Sequence, residues 1–138
     1  MLDRQAQIEY LLDRFESPRH KRALPDADVS AEGGNPGCGD IVHLHLKFDG
    51  DQLADASFEG EGCTISQASA DILLDEIQDM TVEQLEDVTH EELMEILGKE
   101  IVQNRTKCAV LSLDTLKQAL RKRHEDQVRH SLNESAAD

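Results

Sequence analysis

Ile8, Leu11, Leu12 and Phe15 recur at i, i+3, i+4 and i+7, which predicts an amphipathic helix that ends before Pro18 and turns this stripe toward a core. Residues 20–37 carry Pro25, Gly33, Gly34, Pro36 and Gly37 with little periodicity and predict a loop enclosing a short strand near Val29. The period then becomes two: Val42, Leu44, Leu46 and Phe48 alternate with His43, His45 and Lys47, the mark of a strand with one wet face. Asp49-Gly50 supplies a hairpin turn, and Leu53, Ala54, Ala56 and Phe58 among Asp55, Ser57 and Glu59 make a second strand ending at Gly60 and Gly62. After Cys63, a helical period returns through Ile65, Ala68, Ile72, Leu73 and Ile77 as far as Met80. Thr81-Val-Glu-Gln84 and Thr89-His-Glu-Glu92 match capping boxes and predict short helices, the second closed by Gly98. A last helix begins at or near Cys108, with Ala109, Leu113, Leu116 and Leu120 on one face.

This order of elements predicts a single α+β domain, a small antiparallel sheet packed against several helices, over residues 1–124. Residues 125–138 lose the apolar face and are expected to form a disordered tail. With 38% hydrophobic and 3% aromatic residues in 138, the core must come mainly from Leu, Ile, Val and Ala.

Charge narrows the function classes. The net charge of −15 arises wholly between Asp49 and Gly98, where 15 Asp and Glu meet no Lys or Arg. Such a surface repels phosphate backbones and anionic headgroups, so neither nucleic acid nor membrane is an expected partner. The acidic segment reads as a solvated face, with a docking surface for a basic partner or salt adaptation as the other readings. No run approaches the roughly 20 apolar residues of a membrane span, and the MLDRQAQIEY start is not a secretory signal. A cytoplasmic location is expected.

Cys38, Cys63 and Cys108 are odd in number, widely spaced and free of any CxxC, which disfavours disulfides, thioredoxin-like chemistry and zinc knuckles. Their settings agree: Cys38 lies in Gly-Cys-Gly, Cys63 follows Gly60-Glu-Gly62 before a helix, and Cys108 opens a helix just after Arg105. Glycine-turn amides, helix N-termini and a nearby guanidinium all favour thiolate, so depressed cysteine pKa values are expected. With Asp40 two residues after Cys38, three thiolates and a carboxylate suit a four-coordinate zinc or a small iron-sulfur cluster. Three unrelated small buried residues and an ordinary turn aspartate are the bland alternative. His43 and His45 read as solvated, and His20, His90, His124 and His130 match no metal-ligand spacing in the sequence, so no histidine is assigned a site role.

Asn35-Pro-Gly-Cys38-Gly-Asp40, Gly60-Glu-Gly-Cys63-Thr-Ile-Ser66-Gln-Ala-Ser69 and Arg105-Thr-Lys-Cys108-Ala109 together resemble the U-type iron-sulfur cluster assembly family: IscU, the N-terminal part of NifU, and SufU. The similarity runs from about Leu11, through Ser17-Pro18-Arg19, to about Leu120. It implies that Cys38, Asp40, Cys63 and Cys108 are metal ligands, the three cysteines also cluster ligands. It also implies that a cysteine desulfurase donates persulfide sulfur, with Cys38 and Cys108 as candidate acceptors, and that apo iron-sulfur proteins receive a [2Fe-2S] cluster. IscU-type members carry His where Lys107 stands and Leu-Pro-Pro-Val-Lys where Ile101-Val-Gln-Asn-Arg105 stands. Arg105-Thr-Lys-Cys108 looks instead like SufU, in which zinc occupies the site and sulfur is relayed from a SufS-type desulfurase. Only 44 residues separate Cys63 from Cys108, without the longer SufU insertion.

The expected function is therefore iron-sulfur cluster assembly, as a scaffold for a transient [2Fe-2S] cluster or as a zinc-dependent sulfur relay with sulfurtransferase activity. The alternatives are a small protein with a purely structural zinc and a metal-free acidic adaptor.

Overall fold

The computed structural model describes residues 3–35, 37 and 39–137, with side chains through 132. Helix α1 (Arg4–Glu16) begins at Asp3, whose carboxylate accepts the Ala6 N–H at 2.8 Å. Its apolar stripe does not all face inward as expected. Leu11 is buried, but Leu12 and Phe15 are 43% and 39% exposed, and Arg14, at 1%, completes the buried seam. The facing helix explains the difference, because it presents two aspartates that a guanidinium can satisfy. Arg14 Nε lies 2.5 Å from Asp71 Oδ2, and Nη1 lies 2.5 Å from Asp75 Oδ2. Asp71 Oδ1 accepts the Arg19 and His20 amides at 2.9 and 2.7 Å, while His20 Nε2 reaches Asp75 Oδ1 at 2.6 Å. Only with such complete pairing is a fully buried carboxylate tolerable.

Strands β1 (Val29–Asn35), β2 (Asp40–Asp49) and β3 (Gln52–Glu61) form an antiparallel sheet in that order. The strand expected near Val29 thus extends to Asn35. Val42, Leu44, Leu46, Ala56 and Phe58 are fully buried on the inner face, beneath α2 (Thr64–Glu76) and α6 (Thr106–Ala137). The free edge of β3 is paired by the chain leaving α1, through Phe58 N–H to His20 C=O and Arg22 N–H to Phe58 C=O, each 3.0 Å.

Helix α2 stops at Glu76, before the expected Met80. Helices α3 (Val82–Asp87) and α4 (His90–Leu97) follow, then α5 (Lys99–Val102) and a 3-10 turn (Gln103–Arg105). Thr81 and Gln84 form the full reciprocal capping box. At Thr89 only half is made: Oγ1 accepts the Glu92 N–H at 3.1 Å, while Glu92 Oε1 takes the threonine hydroxyl. Helix α6 runs past His124 to Ala137. Residues 125–137 contain neither Gly nor Pro, so the backbone has no breaker even though residues 125–132 stay exposed. Among the described residues, no helix is long and apolar enough to cross a membrane.

Gly33 sets how closely β1 approaches α6. A Cβ there would fall 2.0 Å from Thr115 Oγ1, which is itself tied to the Leu111 carbonyl at 2.8 Å. Gly33→Ala is expected to cost about 1–3 kcal/mol in urea denaturation, with Thr115→Ala recovering part of the loss in the double variant. An additive pair would count against this contact.

Candidate metal centre

Three chain segments converge at one end of the sheet. Asp40 opens β2 on the same side as Val42 and Leu44, so its side chain enters the buried layer at 1% exposure. Beyond β3, Gly62 turns the chain so that Cys63 becomes the N-cap of α2, its sulfur accepting the Ser66 N–H at 3.5 Å. Cys108 sits in the first turn of α6, buried at 2% exposure. One ligand atom from each of Asp40, Cys63 and Cys108 lies within 4.8 Å of the other two. Cys38 lies outside the described residues, between Gly37 and Gly39, the latter at φ 71°. Among the described residues, no histidine joins the group.

Asp40 is fixed before any ligand arrives. Its Oδ1 accepts the Cys63 amide at 2.9 Å and the Ser66 hydroxyl at 3.2 Å, which leaves Oδ2 facing Cys63 Sγ at 4.0 Å. Burial alone would raise its carboxyl, but hydrogen bonds from Cys108, the Cys63 amide, Ser66 and the Cys63 thiol hold it below the ordinary value. Cys108 departs from expectation. Burial first, then the neighbouring Asp40 and Cys63, push its thiol strongly upward, so its place near a helix N-terminus does not make it an acidic thiol. A bound cation would reverse this by stabilising the thiolate.

Sequence reasoning overlooked two positioning residues. Ser66 bonds both Asp40 and the Cys63 carbonyl, and Asn35 Nδ2 approaches Cys108 Sγ at 3.9 Å. Both stand inside the cysteine motifs, and Ser66 occupies the third position of a helix whose cap is a cysteine, which was the available signal.

The donor set suits a borderline metal: two converging sulfurs, one oriented carboxylate oxygen, and a half-buried Cys63 that gives access. Gly62 belongs to this cradle. At φ 152° its missing Cβ would fall 2.3 Å from Asp40 Oδ1 and 2.8 Å from Ser66 Oγ. Gly62→Ala is expected to weaken zinc binding about 10–100-fold, as loss of an orienting contact does, measured by competition with a chromophoric chelator. Unchanged affinity would mean that Asp40 is not held for the metal.

Comparison with known proteins agrees with this architecture. The model of the NifU-like N terminal domain matches residues 6–130. Over 70 residues the chain is 44% identical to the zinc-dependent sulfurtransferase SufU of Bacillus subtilis, covering 51% of this chain and 47% of that protein. Over 69 residues it is 46% identical to the iron-sulfur cluster assembly scaffold protein IscU of Thermotoga maritima, covering 50% and 49%. The match thus spans about half the length of these two curated relatives. A crystal structure from Fervidobacterium islandicum AW-1, of a protein proposed as a SUF-system scaffold, superposes with TM-score 0.67 at 29% identity, covering 81% of this chain and 94% of that one. The N-terminal NifU-like protein of Brucella abortus, at 19% identity and TM-score 0.71 over 85% of this chain and 93% of that one, shares the fold. With a family model covering nearly the whole chain, this protein belongs to the NifU-like N-terminal domain family, the U-type group that includes SufU and IscU.

Proposed function

We propose that the chain is a cytoplasmic iron-sulfur cluster assembly protein that accepts persulfide sulfur from a cysteine desulfurase of the SufS type. In this reading Cys38, Asp40, Cys63 and Cys108 hold zinc or a transient [2Fe-2S] cluster, which is passed to apo acceptor proteins. The observation that carries it is the meeting of Asp40, Cys63 and Cys108 within 4.8 Å, at the end of a domain whose core is built elsewhere. A purely structural zinc belongs in a chain short of core, whereas here the sheet, α2 and α6 bury theirs without it.

Zinc, when bound, would keep the thiolates deprotonated near neutral pH. Sulfur transfer itself is an exchange: a thiolate attacks the terminal sulfur of the desulfurase persulfide, one S–S bond forms as another breaks, and the desulfurase leaves as thiolate. Of the two candidate acceptors, the burial and raised pKa of Cys108 favour first attack by Cys38, which lies between Gly37 and Gly39. The scaffold reading keeps its own support in the short connection between α2 and α6, which lacks the SufU insertion. Anaerobic incubation with desulfurase, cysteine and ferrous iron, followed by mass spectrometry, absorption and metal counting, tests both. Added sulfur on none of the three cysteines would sink the relay.

Asp40 is the harder, more displaceable ligand of the set. Asp40→Ala, with the fold retained, is expected to slow cluster release to an acceptor. Equal release rates would remove it as the gate.

A further inference from the structure

The outward face of β2 carries chemistry that the thiolate centre does not use. While Val42, Leu44 and Leu46 enter the core, His43 and His45 occupy the opposite side of the central strand. Residues two apart on one strand face are separated by about 6.6 Å, so both rings can swing to a single ion. The register sets Glu32 of β1 and Glu59 of β3 directly beside His43, with Ser30 beside His45. His43 Nε2 lies 3.4 Å from Glu32 Oε1, and His45 Nε2 lies 2.9 Å from Glu59 Oε1. His45 Nδ1 meets Ser30 Oγ at 2.7 Å, so that once an ion takes the place of Glu59 at Nε2 the ring proton can sit on Nδ1 and be donated to Ser30. Lys122 lines the same cleft, its Nζ donating to the Ser30 carbonyl at 2.9 Å, and would have to keep to that carbonyl when the ion enters.

We infer that His43, His45, Glu32 and Glu59 form a second cation site, selective for first-row divalent ions such as zinc or ferrous iron. Two imidazoles favour these metals over calcium or magnesium, and the two glutamates neutralise the dication. The site is distinct from the thiolate centre: Asp40 stands three residues away along β2, about 10 Å, and on the other face. Metal binding would replace the His45–Glu59 hydrogen bond and the longer His43–Glu32 ion pair.

The test titrates the metal-free full chain with cobalt(II). Thiolate-to-cobalt bands in the near ultraviolet report the cysteine centre, and paramagnetic broadening of the His43 and His45 ring signals reports the second. The expected result is a second equivalent that broadens both rings and is lost in the His43→Gln/His45→Gln double variant, with the near-ultraviolet bands unchanged. Ser30→Ala should weaken only this equivalent, about tenfold. Sharp histidine signals at excess cobalt, or a second equivalent that survives the double variant, would overturn the site. Failure of the near-ultraviolet bands alone would instead count against the thiolate centre.

Discussion

Arg14→Ala is expected to destabilise the protein by about 3–5 kcal/mol, the scale for leaving one partner of a buried ion pair alone. Asp71 has no exposure of its own, and its carboxylate would keep only the Arg19 and His20 amides. The loss should appear as a lower midpoint in urea, with α1 detaching from α2. Acid acts on the same seam through Asp75. Burial would raise that carboxyl, yet hydrogen bonds from His20 and Arg14 hold it below the ordinary aspartate value of 3.8. Its stabilising contribution is therefore present above that value and lost as pH falls through the lower folded-state pKa. Thermal melts from neutral to strongly acidic pH should fall less steeply for Asp75→Asn than for the parent. Parallel acid limbs would show that another carboxylate governs the descent.

Cys108→Ser is expected to reduce bound zinc from about one per chain to less than about a tenth of that, since a hydroxyl is a poor substitute for a thiolate ligand. Cys108 Sγ is buried beside Asp40 and Cys63. Metal analysis after gel filtration gives the answer, and circular dichroism confirms that the helices persist. Stoichiometric zinc in this variant would mean that the centre is built without α6.

The legible parts of the fold were those in which periodicity and burial coincide. β2 alternates cleanly because one side meets α2 and α6 and the other does not. β1 was harder to read, since Glu32-Gly33-Gly34-Asn35 has no alternating hydrophobics. Gly33 is there for the close passage of Thr115, a requirement set by tertiary contact. The α1 stripe misled for a related reason: Leu12 and Phe15 share a helical period with Leu11, but the seam is ionic and selects Arg14. The cysteine motifs pointed to Asp40, Cys63 and Cys108, which the fold brings together, and to Cys38, which lies outside the described residues. They gave no sign that Cys108 would be buried in the company of negative groups, because a pKa depends on neighbours that only the fold assembles.

The sulfur that caps α2 is also one of those offered to the metal, so one atom links helix integrity to chemical state. Metal binding exchanges the Cys63 thiol proton for the ion, and the thiolate sulfur so formed accepts the Ser66 N–H more strongly than the thiol did. The Ser66 amide is thus a native gauge of occupancy. Its proton should move downfield and exchange more slowly as the centre fills with metal, reporting from the helix side a change that happens on sulfur.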